Sequence, residues 1–258
     1  MTRHIDFEAI ENFRDFGGYA TACGRGLVSG RLFRSGDHSR ATEADLARLR
    51  NLGVATIVDL RHIEERQRDP GRRWEGFGAL LIESDITSDK PDWVEAMKTA
   101  PQTAEWWYQN TLSHYRENPF EPRHVDLFSR FLRAIGEADG AIVVHCAAGK
   151  DRTGLACALV HHLAGVAHED MIADFLLTND ESRIARKMAQ SAAFVERVTG
   201  RRPSDEAMRV ASSVYPAFLD SAFDEIRTRC GSIDGYLEDV LGMDAALRQR
   251  IEDRLLSG

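Results

Sequence analysis

The run Ile142-Val-Val-His-Cys-Ala-Ala-Gly-Lys-Asp-Arg-Thr-Gly154 sets a thiol and a guanidinium at the two ends of one short loop: five residues separate Cys146 from Arg152. It reads as strand, tight loop, helix. A loop of this length can wrap one phosphate with its backbone N–H groups, and a helix starting near Arg152 aims its positive end at the same spot. A helix N-terminus beside an arginine is also the setting in which a cysteine sulfur acts as a nucleophile. Arg152 offers a planar fork for two oxygens and stabilises charge shared over a phosphoryl group in flight. The expected phosphate-binding set is Ala147, Ala148, Gly149, Lys150, Arg152 and Thr153, with Cys146 as nucleophile. Gly149 is expected to take backbone angles that a side chain would hinder and to keep a Cβ out of the pocket. The Thr153 hydroxyl is placed to reach back to the sulfur, and Gly154 to let the helix approach the strand.

A loop of this kind has to be carried by a rigid frame. Ala141–His145 and Ala55–Leu60 are short, apolar and β-branched, as buried strands are, and Leu80–Ile82 is a third candidate. Thr42–Leu52 reads as a helix capped by Thr42 and stopped by Gly53. Arg61–Arg73 reads as partly helical, and Val125–Ile135 as an amphipathic helix. From Arg152 onward the pattern is almost wholly helical, in about five segments broken by Gly or Pro. Strands alternating with helices predict an α/β fold with a helical C-terminal portion. The segment 85–120 is the least regular and is expected to be an insertion or a lid within a single domain spanning 1–258. The helices after Asp180 are its expected partners in that lid.

The bulk composition narrows the function classes. The chain of 258 residues is 43% hydrophobic and 29% charged, enough for a large core without a disulfide or metal staple. Its net charge of −8 argues against nucleic-acid binding while permitting a local basic pocket. The cysteines, Cys23, Cys146, Cys157 and Cys230, form no CxxC pair, so neither a disulfide framework nor a zinc ribbon is expected. The longest apolar run, Leu155–Ala167, contains His161 and His162 and is too short to span a bilayer. Met1–Phe16 has no apolar signal core, so a cytoplasmic location is expected, with export by a route lacking a cleavable signal left open.

His145-Cys-Ala-Ala-Gly-Lys-Asp-Arg-Thr153 resembles the HCxxGxxR loop, followed by Ser or Thr, of the protein tyrosine and dual-specificity phosphatases. Its GKDRTG form is similar to a bacterial branch that includes a secreted mycobacterial member also accepting phosphoinositides. Asn12-Phe-Arg-Asp-Phe-Gly-Gly-Tyr19, Gly30-Arg-Leu-Phe-Arg-Ser35, Ile57-Val-Asp-Leu-Arg61, Thr178-Asn-Asp180 and Gly231-Ser-Ile-Asp-Gly-Tyr236 resemble segments of that branch in the same order. The resemblance thus covers nearly the whole chain. It implies a central, mostly parallel sheet flanked by helices, with the loop after the last core strand. It also implies a phosphocysteine intermediate on Cys146 that water hydrolyses, without a metal or other cofactor. The implied substrate is a phosphotyrosine protein, with dual specificity or a phosphoinositide as alternatives. Oligomeric state is not implied.

Such an enzyme needs a carboxylic acid to protonate the leaving oxygen, a role worth about 10²–10⁴-fold. Asp151 lies inside the loop, where the resemblance associates an aspartate with catalysis; the other reading is a carboxylate that merely favours the helix dipole. Asp59 ends a strand, where open α/β sheets place their sites, or else it pairs with Arg61. Pro91-Asp-Trp93 has the wrong order for the Trp-Pro-Asp acid loop of many tyrosine phosphatases, so Asp92 is not favoured. Lys150 is either a second positive charge at the loop mouth or a surface lysine. Arg34 and Arg61 line the pocket or pair with acids. His145 is expected to fix the loop through a backbone hydrogen bond, and His161 and His162 to pack beneath it.

Three rivals remain in view. A nucleotide-binding loop, GxxxxGK followed by Ser or Thr, fails because Val144 stands at the first glycine and Asp151 follows Lys150. A sulfurtransferase also sets a cysteine in an anion loop, but lacks the flanking segments. A phosphate-binding pseudoenzyme scaffold usually loses the Cys or the Arg, and both are here.

Overall fold

The structure, a computed structural model, describes residues 3–87 and 93–257. Asp92 and Lys90 lie outside these. The first elements are β1 (Arg14–Asp15), β2 (Gly26–Leu27), β3 (Leu32–Ser35), α1 (Glu43–Asn51), β4 (Val54–Asp59), α2 (Ile63–Arg68) and β5 (Leu80–Ile82). Then come α3 (Trp93–Thr99), α4 (Ala104–Glu117), α5 (Pro122–Glu137) and β6 (Ala141–His145). The C-terminal portion holds α6 (Asp151–Ala164), α7 (His168–Leu176), α8 (Glu181–Thr199), α9 (Asp205–Ser212), α10 (Pro216–Cys230), the single turn α11 (Ile233–Gly235), α12 (Ala245–Leu255) and β7 (Leu256–Ser257).

The main sheet runs β1-β3-β6-β4-β5; β3, β6, β4 and β5 are mutually parallel and β1 is antiparallel to β3. β2 and β7 form a small antiparallel pair that ties the last residues to the N-terminal third. The central strands are apolar at successive positions because both sheet faces are covered. Ile142 and Val144 of β6 face a large cluster with α5, α6 and α10, whereas Val143 faces a smaller one with Phe33, Ile57, Leu46 and Leu49. The α/β architecture expected from the sequence is therefore the one observed.

Boundaries show where local signals were sufficient. α1 starts at Thr42, whose side chain accepts from Asp45 N while the Asp45 carboxylate accepts from Thr42 N. The same carboxylate accepts from Glu8 N and Ala9 N, fastening the N-terminal segment. The C-terminal region has more helices than the roughly five expected, because breaks there do not need Gly or Pro. Asp180 starts α8 by accepting from Arg183 N, and Asn179 exchanges two hydrogen bonds with Val214. Helices α3, α8 and α9 share an apolar cluster of Met97, Ala192, Val195, Ala207 and Met208. Among the described residues, no helix is long and apolar enough to cross a membrane.

Candidate active site

The strand ends fix the site. Ser35 of β3 and Asp59 of β4 both stand in register with His145 of β6. The chain therefore leaves three neighbouring strands at one level, through Gly36, Leu60 and Cys146. Cys146 follows directly from the buried strand and is only 3% exposed. Lys150 is the N-cap of α6, so Asp151, Arg152 and Thr153 form its first turn, with the positive end of the helix at the loop.

Between Cys146 and α6, the loop carbonyls are gripped from outside. Asp37 N donates to Ala147 O at 3.1 Å. Asn12 Nδ2 donates to Gly149 O at 2.8 Å and to Ala148 O at 3.4 Å, and Arg34 Nη2 donates to Gly149 O at 3.1 Å. A trans peptide sets its N–H opposite its C=O, so the N–H groups of Ala148, Gly149 and Lys150 are turned away from these donors. Gly149 has φ +62°, and a Cβ there would stand 2.3 Å from Ser35 O. The positive φ is the backbone conformation expected of this glycine; the space a Cβ would take is at the end of β3 rather than in the pocket. Gly154 is likewise needed against α7 rather than a strand, since a Cβ would lie 2.6 Å from Phe175 Cε2.

Arg152 is held in place at its fork. Its Nη1 and Nη2 donate to the two carboxylate oxygens of Glu65 at 2.5 and 2.9 Å, and Nη1 also reaches Leu60 O at 3.1 Å. Burial alone would raise the Glu65 carboxyl, but the Arg152 charge outweighs it and brings it down to about 2. Burial would likewise lower the guanidinium, and Glu65 instead raises it well above its ordinary value. Arg123 donates to the same Leu60 carbonyl at 2.8 Å and to the rings of His62 and His124.

The two candidate acids have different surroundings. Asp151 is partly exposed; Tyr115 of α4 donates its hydroxyl to Asp151 Oδ1 at 3.1 Å, and Lys150 Nζ is 3.5 Å from Oδ2. Asp59 is buried, with both oxygens engaged by Arg61 at 2.7–3.1 Å and His145 Nε2 at 3.6 Å. Burial would raise the Asp59 carboxyl, yet His145 and then Arg61 hold it well below the usual carboxylate range. It thus has no proton to give near neutral pH.

The other expected residues are equally particular. Lys150 Nζ donates to Ala211 O at 2.6 Å and to Ser213 O at 3.4 Å, joining the loop to the end of α9. The Thr153 hydroxyl is buried without a hydrogen-bond partner among the described residues, so the expected bond to the sulfur is not formed here. Arg34 and Arg61 pair with acids, Asp174 and Asp59. His145 Nδ1 lies 3.3 Å from Cys146 O, as its loop-fixing role requires. His161, buried against Phe16 and Tyr19, binds Phe16 O at 2.7 Å, and the partly exposed His162 lies 3.4 Å from Asp234, so neither of these bonds is to the loop.

Sequence reasoning missed Glu65, Asn12, Tyr115 and Asp174. Glu65 carried a local signal: it is the third residue of α2, whose N-cap is His62, and its carboxylate accepts from His62 N at 2.8 Å. Asp174 carried none, since it lies in an ordinary amphipathic helix and meets Arg14 and Arg34 only through the fold.

Residues 5–257 match the model of the tyrosine phosphatase family. The chain is 32% identical over 248 residues to a Cupriavidus necator protein named as a tyrosine-protein phosphatase, covering 95% of this chain and 86% of that one. It is 31% identical over 277 residues to the triple specificity protein phosphatase PtpB of Mycobacterium tuberculosis, covering 95% and 96%. A tyrosine-protein phosphatase of Nostoc commune is 28% identical over 229 residues, covering 86% and 73%. With the match running almost end to end, this chain belongs to the tyrosine phosphatase family.

Proposed function

We propose that the protein hydrolyses phosphotyrosine esters through a phosphocysteine on Cys146. The observation that carries this reading is the pairing of Cys146 and Arg152 at the two ends of a loop whose carbonyls are clamped outward. The Cys146 sulfur attacks phosphorus and forms the S–P bond as the P–O bond to the tyrosine oxygen breaks. Asp151 gives that oxygen its proton. Arg152, aligned by Glu65, takes two equatorial oxygens, and the turned amides take the rest of the charge. A water then attacks phosphorus, Asp151 recovers a proton, and the S–P bond breaks to release phosphate.

Asp151 is favoured over Asp59 as the acid because Asp59 is locked on Arg61 and ionised. Phosphotyrosine is favoured over shorter side chains because Cys146 is deeply buried and a longer ester reaches it better. A phosphoinositide is the less favoured substrate: the Lys150 ammonium that would meet further phosphates is committed to two carbonyls. The chain reads as a single domain, with α3, α4, α8 and α9 closing one side of the loop through Tyr115–Asp151 and Lys150–Ala211.

Rapid acid quench during turnover, followed by peptide mapping, tests the covalent step. A phosphoryl group on the Cys146 peptide is expected. Turnover without it, with a fully labelled quench control, would contradict the mechanism.

A further inference from the structure

Two hydrogen-bonded chains start at one buried carboxylate and end on one loop carbonyl. Asp174 of α7 holds Arg34 at 2.8 Å, and Arg34 donates to Gly149 O at 3.1 Å. Asp174 also holds Arg14, through its carboxylate at 3.4 Å and its carbonyl at 2.9 Å. Arg14 Nη1 donates to Asn12 Oδ1 at 2.6 Å, and the Asn12 amide then donates to Gly149 O and Ala148 O. Arg14 and Arg34 are register partners on β1 and β3, which is why both reach the same acid.

Asn12 is the unusual member. It has φ +57°, a left-handed conformation rare outside glycine and best tolerated by Asn and Asp. Its side chain is oriented at both ends: the oxygen faces a guanidinium, so the NH2 must face the loop. A carboxylate could not replace it, since it has no proton to donate to two carbonyls. The strained backbone and the fixed amide together point to a demand from the loop rather than from the turn itself.

We propose that Asn12 is a positioning residue of the oxyanion cradle. By holding Ala148 O and Gly149 O outward, it keeps the N–H groups of Gly149 and Lys150 facing the phosphoryl group. It touches no substrate and acts only through these peptide planes. The proposal rests on reading the 146–152 loop as the phosphate site.

The test compares wild type with Asn12→Gly, which suits the positive φ and removes only the amide, and with Asn12→Asp, which keeps size and backbone preference but not the donor. The readouts are competitive inhibition by orthovanadate, which mimics the five-coordinate transition state, inhibition by inorganic phosphate, and kcat and KM separately. Loosened amides should weaken vanadate about tenfold or more, with phosphate affected less and kcat reduced beyond any change in KM. A purely structural role would lower the active fraction and leave the vanadate constant unchanged. Wild-type vanadate affinity in a folded variant would overturn the assignment; should one variant not fold, the other supplies the same comparison. If vanadate fails to compete in the wild type, the loop is no oxyanion site, and the phosphate-site reading falls together with the proposal.

Discussion

Arg152 lies fork-to-fork on Glu65, with Nη1 and Nη2 at 2.5 and 2.9 Å from its two carboxylate oxygens. The pair fixes the guanidinium plane before any substrate arrives. Glu65→Gln should therefore leave a folded enzyme whose kcat/KM falls about 10- to 100-fold, the usual cost of a misplaced group. Arg152→Lys should lose more, because an ammonium cannot form the fork. Steady-state kinetics on both variants check this; a Glu65→Gln enzyme at wild-type efficiency would show that the pair is incidental.

Asp151 and Asp59 separate by leaving group. Asp151→Asn should slow phosphotyrosine far more than an aryl phosphate whose phenol leaves without help, by up to about 10²-fold in ratio. Asp59→Asn should lower stability, since it strips Arg61 of its buried partner, while leaving that ratio at its wild-type value. Equal losses on both substrates in Asp151→Asn would remove it as the acid.

Acid stability follows from three depressed carboxyls. Glu65 drops from its usual 4.5 to about 2 against burial, through Arg152. Asp59 is held down by His145 and Arg61, and Asp174 by Arg14 and Arg34, again against burial. Below pH 4.5 the unfolded chain takes up protons that the folded chain refuses. The Glu65 share of the stabilisation is thus complete above that pH and is lost on the way down to about 2, while the shares of Asp59 and Asp174, held lower still, go on falling beyond it. Thermal melts should show Tm falling through this window, less steeply in Glu65→Gln; identical slopes would contradict the linkage.

Gly149→Ala places a Cβ against Ser35 O in a backbone region that L residues avoid. It should cost more than about 1 kcal/mol in denaturant melts. Activity should fall in the folded fraction too, because the clash lies under the loop. A neutral Gly149→Ala would mean that the loop relaxes freely.

The 146–152 loop was legible as strand, loop and helix because its signal is local: Cys146 and Arg152 lie on one continuous segment, and strand β6 was bounded correctly from its apolar run. The sheet followed from similar runs at β4 and β5. Its supports were not legible. Glu65, Asn12 and Tyr115 reach the loop across 87, 137 and 36 residues of sequence, and Asp174 meets Arg34, which holds the loop, across 140. No local pattern predicts such meetings. Lys150 shows the same limit, since its type suggested a phosphate contact and only the fold places Ala211 and Ser213 at its ammonium.

The most direct test of the central claim is hydrolysis of p-nitrophenyl phosphate by wild type and Cys146→Ser, under reducing conditions with a chelator present. The account predicts chelator-resistant turnover in the wild type and none above background in the variant, which should still bind phosphate. Undiminished turnover by Cys146→Ser, or no turnover by well-folded wild type, would contradict it.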